Sequence, residues 1–127
     1  MSNLFEHVKE KLYHLNGADV DTVLEAEKKM GIRFSPDYRN YLMEYGVVSF
    51  GSHEWMGLGG APYLDVVEET LAERERNQRF PKDCYIVENL GIDGVFILQN
   101  EEGLVYQLSD AGLRKIGSCL EDYILTL

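Results

Sequence analysis

Residues 30–60 read MGIRFSPDYRNYLMEYGVVSFGSHEWMGLGG, and their punctuation decides how the rest of the chain is parsed. Gly31 suits a helix C-cap, because glycine enters the left-handed region without a steric penalty. Ser35-Pro36-Asp37 predicts a helix start, with a reason for each residue. The Ser35 hydroxyl can accept an orphan backbone N–H, Pro36 gives up no hydrogen bond in a first turn, and Asp37 complements the positive end of the helix dipole. Tyr38, Tyr41, Leu42 and Tyr45 then fall at i, i+3, i+4 and i+7, one helical face, until Gly46 closes the element. Beyond Gly46 the pattern turns β-prone: 47–50 and 55–58 read as short strands on either side of Gly51-Ser52.

Toward the N-terminus, Leu4, Phe5, Val8, Leu12 and Leu15 recur with helical spacing and predict a first helix over 3–15, ended by Asn16-Gly17. Asp19 then caps a second helix carrying Val20, Val23, Leu24, Glu27 and Met30, with Lys28 and Lys29 at its negative end. Toward the C-terminus, Asp65 and Glu68 have capping-box spacing and open an inserted helix, whose charged end, with Glu75 four residues before Arg79, reads as a solvated face. Strands follow at 85–87, 95–98 and 104–108, with a shorter one at 114–117, joined by glycine-containing hairpin loops. Ser118 and Glu121 predict a second capping box at the head of a closing helix. The expected fold is α+β: a single domain over 1–127, with N-terminal helices packed on a mostly antiparallel sheet of about 5–6 strands, one inserted helix and a C-terminal helix.

At 45% apolar and 27% charged residues, the composition is that of an ordinary globular protein. No apolar run approaches the roughly 18 residues a membrane span needs. The first residues lack the basic-then-apolar layout of a secretion signal, so a cytoplasmic location and no membrane partner are expected. Charge is the strongest compositional signal: 22 acidic against 12 basic residues, net −10, with eight acidic and only two basic residues beyond position 82. Direct nucleic-acid binding is disfavoured, since phosphate contacts need a basic surface. Two readings of the excess stay open, a solvating surface and a face that attracts a basic partner.

No catalytic or metal-binding constellation emerges from the sequence. His7 and His14 stand seven apart rather than the four of a metal-binding helix, and His53 lies in a loop. Cys84 and Cys119 have no metal or redox spacing and read as packed residues. Gly57-Leu58-Gly59-Gly60 lacks the Lys-Ser/Thr ending of a phosphate loop. No metal, no cofactor and no enzymatic activity are therefore expected. The tyrosine stripe reads as core, while Trp55 admits two readings, a residue packed between helix and sheet or an aromatic anchor for a partner. Candidate partner-binding residues are Glu54, Trp55, Asp93, Glu101, Glu102 and Asp110.

The run Phe34-Ser35-Pro36-Asp37-Tyr38-Arg39-Asn40-Tyr41-Leu42-Met43-Glu44-Tyr45-Gly46 resembles the signature of the SUKH superfamily, which takes in bacterial immunity proteins and fungal Smi/Knr-type cell-wall-assembly regulators. Tyr85-Ile86-Val87-Glu88 with Asp93-Gly94, then Gly103-Leu104-Val105-Tyr106, and the closing segment from Ser118 to Leu125 resemble later parts of that pattern in order. Ser35 stands where the family often has proline, and Val47-Val48 replace common glycines. The resemblance implies an α+β fold and an immunity protein that binds and neutralises a cognate toxin domain; the acidic balance adds the expectation that this domain has a basic surface, a nuclease being one such class. A regulatory protein-interaction module of the same fold is the alternative it leaves. The oligomeric state is left open.

Overall fold

The structure, a computed structural model, describes residues 4–91 and 94–127. Among these residues the chain forms seven strands and four α-helices in the order β1 (Leu12–His14), α1 (Val20–Met30), α2 (Pro36–Glu44), β2 (Val48–Phe50), β3 (His53–Trp55), a 3-10 turn (Pro62–Leu64), α3 (Val66–Arg76), β4 (Cys84–Asn89), β5 (Phe96–Asn100), β6 (Val105–Ser109), β7 (Gly112–Gly117) and α4 (Leu120–Ile124). The strands make one antiparallel sheet in chain order, β1 through β7. The α+β class is as expected; the seventh strand is β1.

That strand corrects the predicted first helix. Leu4 to His7 form a turn instead, and Leu12, Tyr13 and His14 pair with Phe50, Ser49 and Val48. The helical spacing was real, but the sheet overrode it: Phe5 is buried against Trp55, Tyr45 and Phe50 at ring-centroid distances of 5.1, 5.3 and 5.8 Å, so the segment is drawn across the sheet as extended chain.

The helices of the opening stretch form largely as their caps dictate. Asp19 Oδ1 accepts the Thr22 N–H, and Gly31 closes α1 at φ 71°. At α2 the Ser35 hydroxyl does not cap a backbone donor; it donates to Asp37 Oδ1 at 2.6 Å. Asp37 is thereby the centre of a tie between distant elements. Its Oδ1 also accepts Gln99 Nε2 at 3.0 Å, and its Oδ2 accepts the Leu120 N–H at 2.9 Å, 83 positions away. The tyrosine stripe faces inward as expected. Tyr38 lies 4.8 Å from Tyr85 and Tyr41 lies 5.4 Å from Trp55, ring to ring, and both hydroxyls donate to the Met56 carbonyl.

Three further boundaries move. β3 stops at Trp55 because the following residues leave the β2 ladder: Met56 N–H bonds to Val87 O, and Gly57 bridges Asp65. A Cβ on Gly57 would stand 1.6 Å from the Gly46 carbonyl oxygen, so glycine is required where the two chain segments cross. Asp65 caps α3 through Val67 N and Glu68 N, yet the helix ends at Arg76, which leaves Arg79 outside it and bonded to the Asp110 carbonyl rather than to Glu75. The closing helix begins one residue later than predicted: Cys119 is the N-cap without a side-chain bond, and the Ser118 N–H is accepted by Asp122.

Candidate partner-binding surface

The five expected partner-binding residues that the structure describes do not converge. Glu54 is exposed on β3, where its carboxylate accepts the Tyr63 hydroxyl at 3.3 Å. Glu101 and Glu102 are exposed on the turn before β6, and Asp110 is exposed on the turn after it, so they stand at opposite ends of that strand. Asp93 falls outside the described residues. Trp55 is 0% exposed, its ring set among Phe5, Tyr41 and Tyr123. Alternation along β3 explains the difference: with one residue out and the next in, Glu54 reaches solvent and Trp55 cannot. Of the two readings of Trp55, the packed one is what the structure holds, and an anchor role for it is corrected.

Part of the acidic excess is internal. Glu27 is buried, accepts the Phe34 N–H at 2.8 Å and pairs with Arg39 at 2.7 Å; Glu73 is buried and pairs with Arg76 at 2.8 Å. Glu88, counted in sequence among the acidic residues of the C-terminal third, is only 2% exposed. His53 Nδ1–H donates to its Oε2 at 2.8 Å and the Tyr123 hydroxyl donates to its Oε1, so one carboxylate joins β3, β4 and α4. Burial raises the Glu88 pKa above the ordinary carboxylate range, partly offset by the Tyr123 and His53 hydrogen bonds. His53 borders a cleft of about 310 Å³ that also touches His7, Lys9, Glu10 and Phe50. No Ser, Thr or Cys side chain lines this cleft, and the buried Cys84 thiol is elsewhere, pushed up to about 12 by desolvation and so held as the thiol.

Sequence reading missed an acid-lined groove of about 520 Å³ between the heads of α1 and α3, where Asp19, Asp21, Glu25, Asp65 and Glu68 face a single cation, Lys29. The signal was there, two capped helix starts each rich in acids, but nothing local shows that they adjoin. Two of its carboxylates are already engaged, Asp19 with Thr22 N and Asp65 with Val67 N and Glu68 N. Among the described residues no three His, Cys, Asp or Glu side chains are placed to hold a metal ion together, and no helix is long and apolar enough to cross a membrane.

A proline-started helix with its tyrosines turned onto an antiparallel meander, and exposed acidic turns around it, defines a single-domain α+β scaffold. The chain belongs to the SUKH superfamily: the SUKH_5 family model, described as SMI1-KNR4 cell-wall, matches residues 1–124. No curated protein matches it.

Proposed function

We propose that this chain is an immunity protein that binds and neutralises a cognate toxin domain in the cytoplasm, without catalysis of its own. The observation that carries the reading is the family match over residues 1–124. The net charge of −10 supports a partner with a basic surface, and a nuclease, whose active site must attract phosphates, is the toxin class that an acidic occluder fits. Glu54, Glu101, Glu102 and Asp110 are the exposed expected positions that would contribute to that attraction. Co-expression with the toxin domain encoded beside this gene tests it. Restored growth and a co-purifying complex are expected; continued toxicity with no complex would sink the reading.

The cell-wall description of the matching family favours a second reading, a regulatory protein-interaction module without a toxin partner. Recovery of one stoichiometric host protein from cells that lack any adjacent toxin gene would select it.

A further inference from the structure

The outward face of β1–β3 carries a feature that the acidic turns lack. Tyr13 pairs with Ser49, and Ser49 pairs with Glu54, so these three side chains share one face of three adjacent strands. Their neighbours Val48, Phe50 and Trp55 are buried on the other face. Tyr63, from the 3-10 turn, reaches Glu54, its hydroxyl donating to the carboxylate at 3.3 Å. Tyr13 and Tyr63 are 58% and 59% exposed, whereas Tyr38, Tyr41, Tyr45, Tyr85 and Tyr123 are buried.

Strands two apart in a sheet are separated by about 10 Å, so Tyr13 faces the Glu54–Tyr63 pair across the small Ser49. Aromatic walls, a small floor and one oriented carboxylate make a seat for a slender or planar cation. The chain's own Lys11 ammonium lies over the Tyr13 ring, 5.2 Å from its centroid, so an incoming cation takes the place of Lys11 there. The acid-lined groove is the competing surface, yet Asp19 and Asp65 there serve as helix caps, and it offers no exposed aromatic. Exposed tyrosines are the rigid, amphipathic residues from which binding hot spots are built.

We propose that the protein partner docks on this face of β1–β3, with one of its arginine or lysine side chains seated over Ser49 between Tyr13 and Tyr63 and paired with Glu54. The proposal rests on the toxin-domain reading for the identity of the partner, while the chemistry of the seat stands apart from it. Two probes separate them: the toxin domain encoded beside the gene, and a short Arg-Gly repeat peptide followed by backbone amide shifts. Tyr13→Ala, Glu54→Gln and Tyr63→Ala should each weaken toxin-domain binding by about tenfold or more, and the Glu101→Gln/Glu102→Gln double variant by less than about twofold. The peptide should shift the amides of Tyr13, Ser49 and Glu54. Variants that bind the toxin domain as tightly as wild type, or peptide shifts centred on Asp21, Glu25 and Glu68, would overturn the proposal and leave neutralisation standing. Peptide shifts on the row with no toxin-domain complex would support the seat and reject the toxin reading. All three substitutions are at solvent-facing positions, so thermal unfolding close to wild type is the check that the fold survives.

Discussion

Glu88 occupies a position in β4 where its neighbours Tyr85, Ile86 and Val87 are all buried, and it is tolerated because His53 and Tyr123 engage both carboxylate oxygens. Its raised pKa has a thermodynamic consequence with a definite sign. The native state holds the Glu88 proton more tightly than the unfolded chain does, so the carboxyl group's contribution to stability falls as pH rises from the ordinary carboxylate range through the raised native value. Glu88→Gln should therefore flatten the pH dependence of stability across that window, read from urea unfolding at a series of pH values. An unchanged slope in the variant would remove Glu88 from the account. Neither the burial nor its partners could be read in advance, because a glutamate at the end of an apolar run looks like the first solvent-facing residue. The register shift between Ile86 and Glu88 is what carries it inward, and a bulge has no signature in side-chain alternation. Tyr38, Tyr41 and Tyr45 were legible for the opposite reason: helical spacing alone puts them on one face, and the sheet covers that face.

Elements whose ends are set by near neighbours emerged from the sequence almost whole. The limits of α1 follow from Asp19 and Gly31, and the start of α3 from Asp65, all interactions within a few residues. β1 did not emerge, because its only ladder partner is β2, more than thirty positions on, and a short amphipathic segment carries no record of what it will lie beside. The turns that carry Glu101, Glu102 and Asp110 were legible as hairpin loops, but their place at opposite ends of β6 was hidden, as was the cross-strand row of Tyr13, Ser49 and Glu54, since both depend on register. Asp37 shows how a local signal can understate an element's role. Read as a helix-dipole residue, it also holds the Leu120 amide at the head of α4 and the Gln99 side chain on β5. Asp37→Ala leaves both donors without this acceptor and should cost about 2–3 kcal/mol of unfolding free energy. Hydrogen exchange at Leu120 and through α4 should quicken beyond the global effect. A variant with native stability and protected α4 amides would show the tie to be dispensable.

For the whole molecule, the proposed docking assigns the net charge of −10 and the face of Tyr13, Glu54 and Tyr63 to different stages of association. With Glu27, Glu73 and Glu88 buried and with Glu101–Glu102 and Asp110 at opposite ends of β6, the acidic excess is spread around the fold. A distributed field steers a basic partner toward encounter from a distance, but it gives little that holds the partner once docked. Holding falls to short-range contacts, and those set the dissociation rate. Stopped-flow mixing with the toxin domain should thus separate two classes of substitution. Neutralising Glu101, Glu102 and Asp110 together should lower the association rate and flatten its dependence on salt, with dissociation nearly unchanged. Tyr13→Ala should instead speed dissociation and leave the salt dependence of association close to wild type. Raising ionic strength from roughly 0.01 to 1 M shortens the screening length from about 30 to 3 Å, enough to suppress the steering component of wild-type association. If instead the acidic-turn variant dissociates faster and the Tyr13 variant associates more slowly, the turns are the contact surface and the tyrosine row is peripheral.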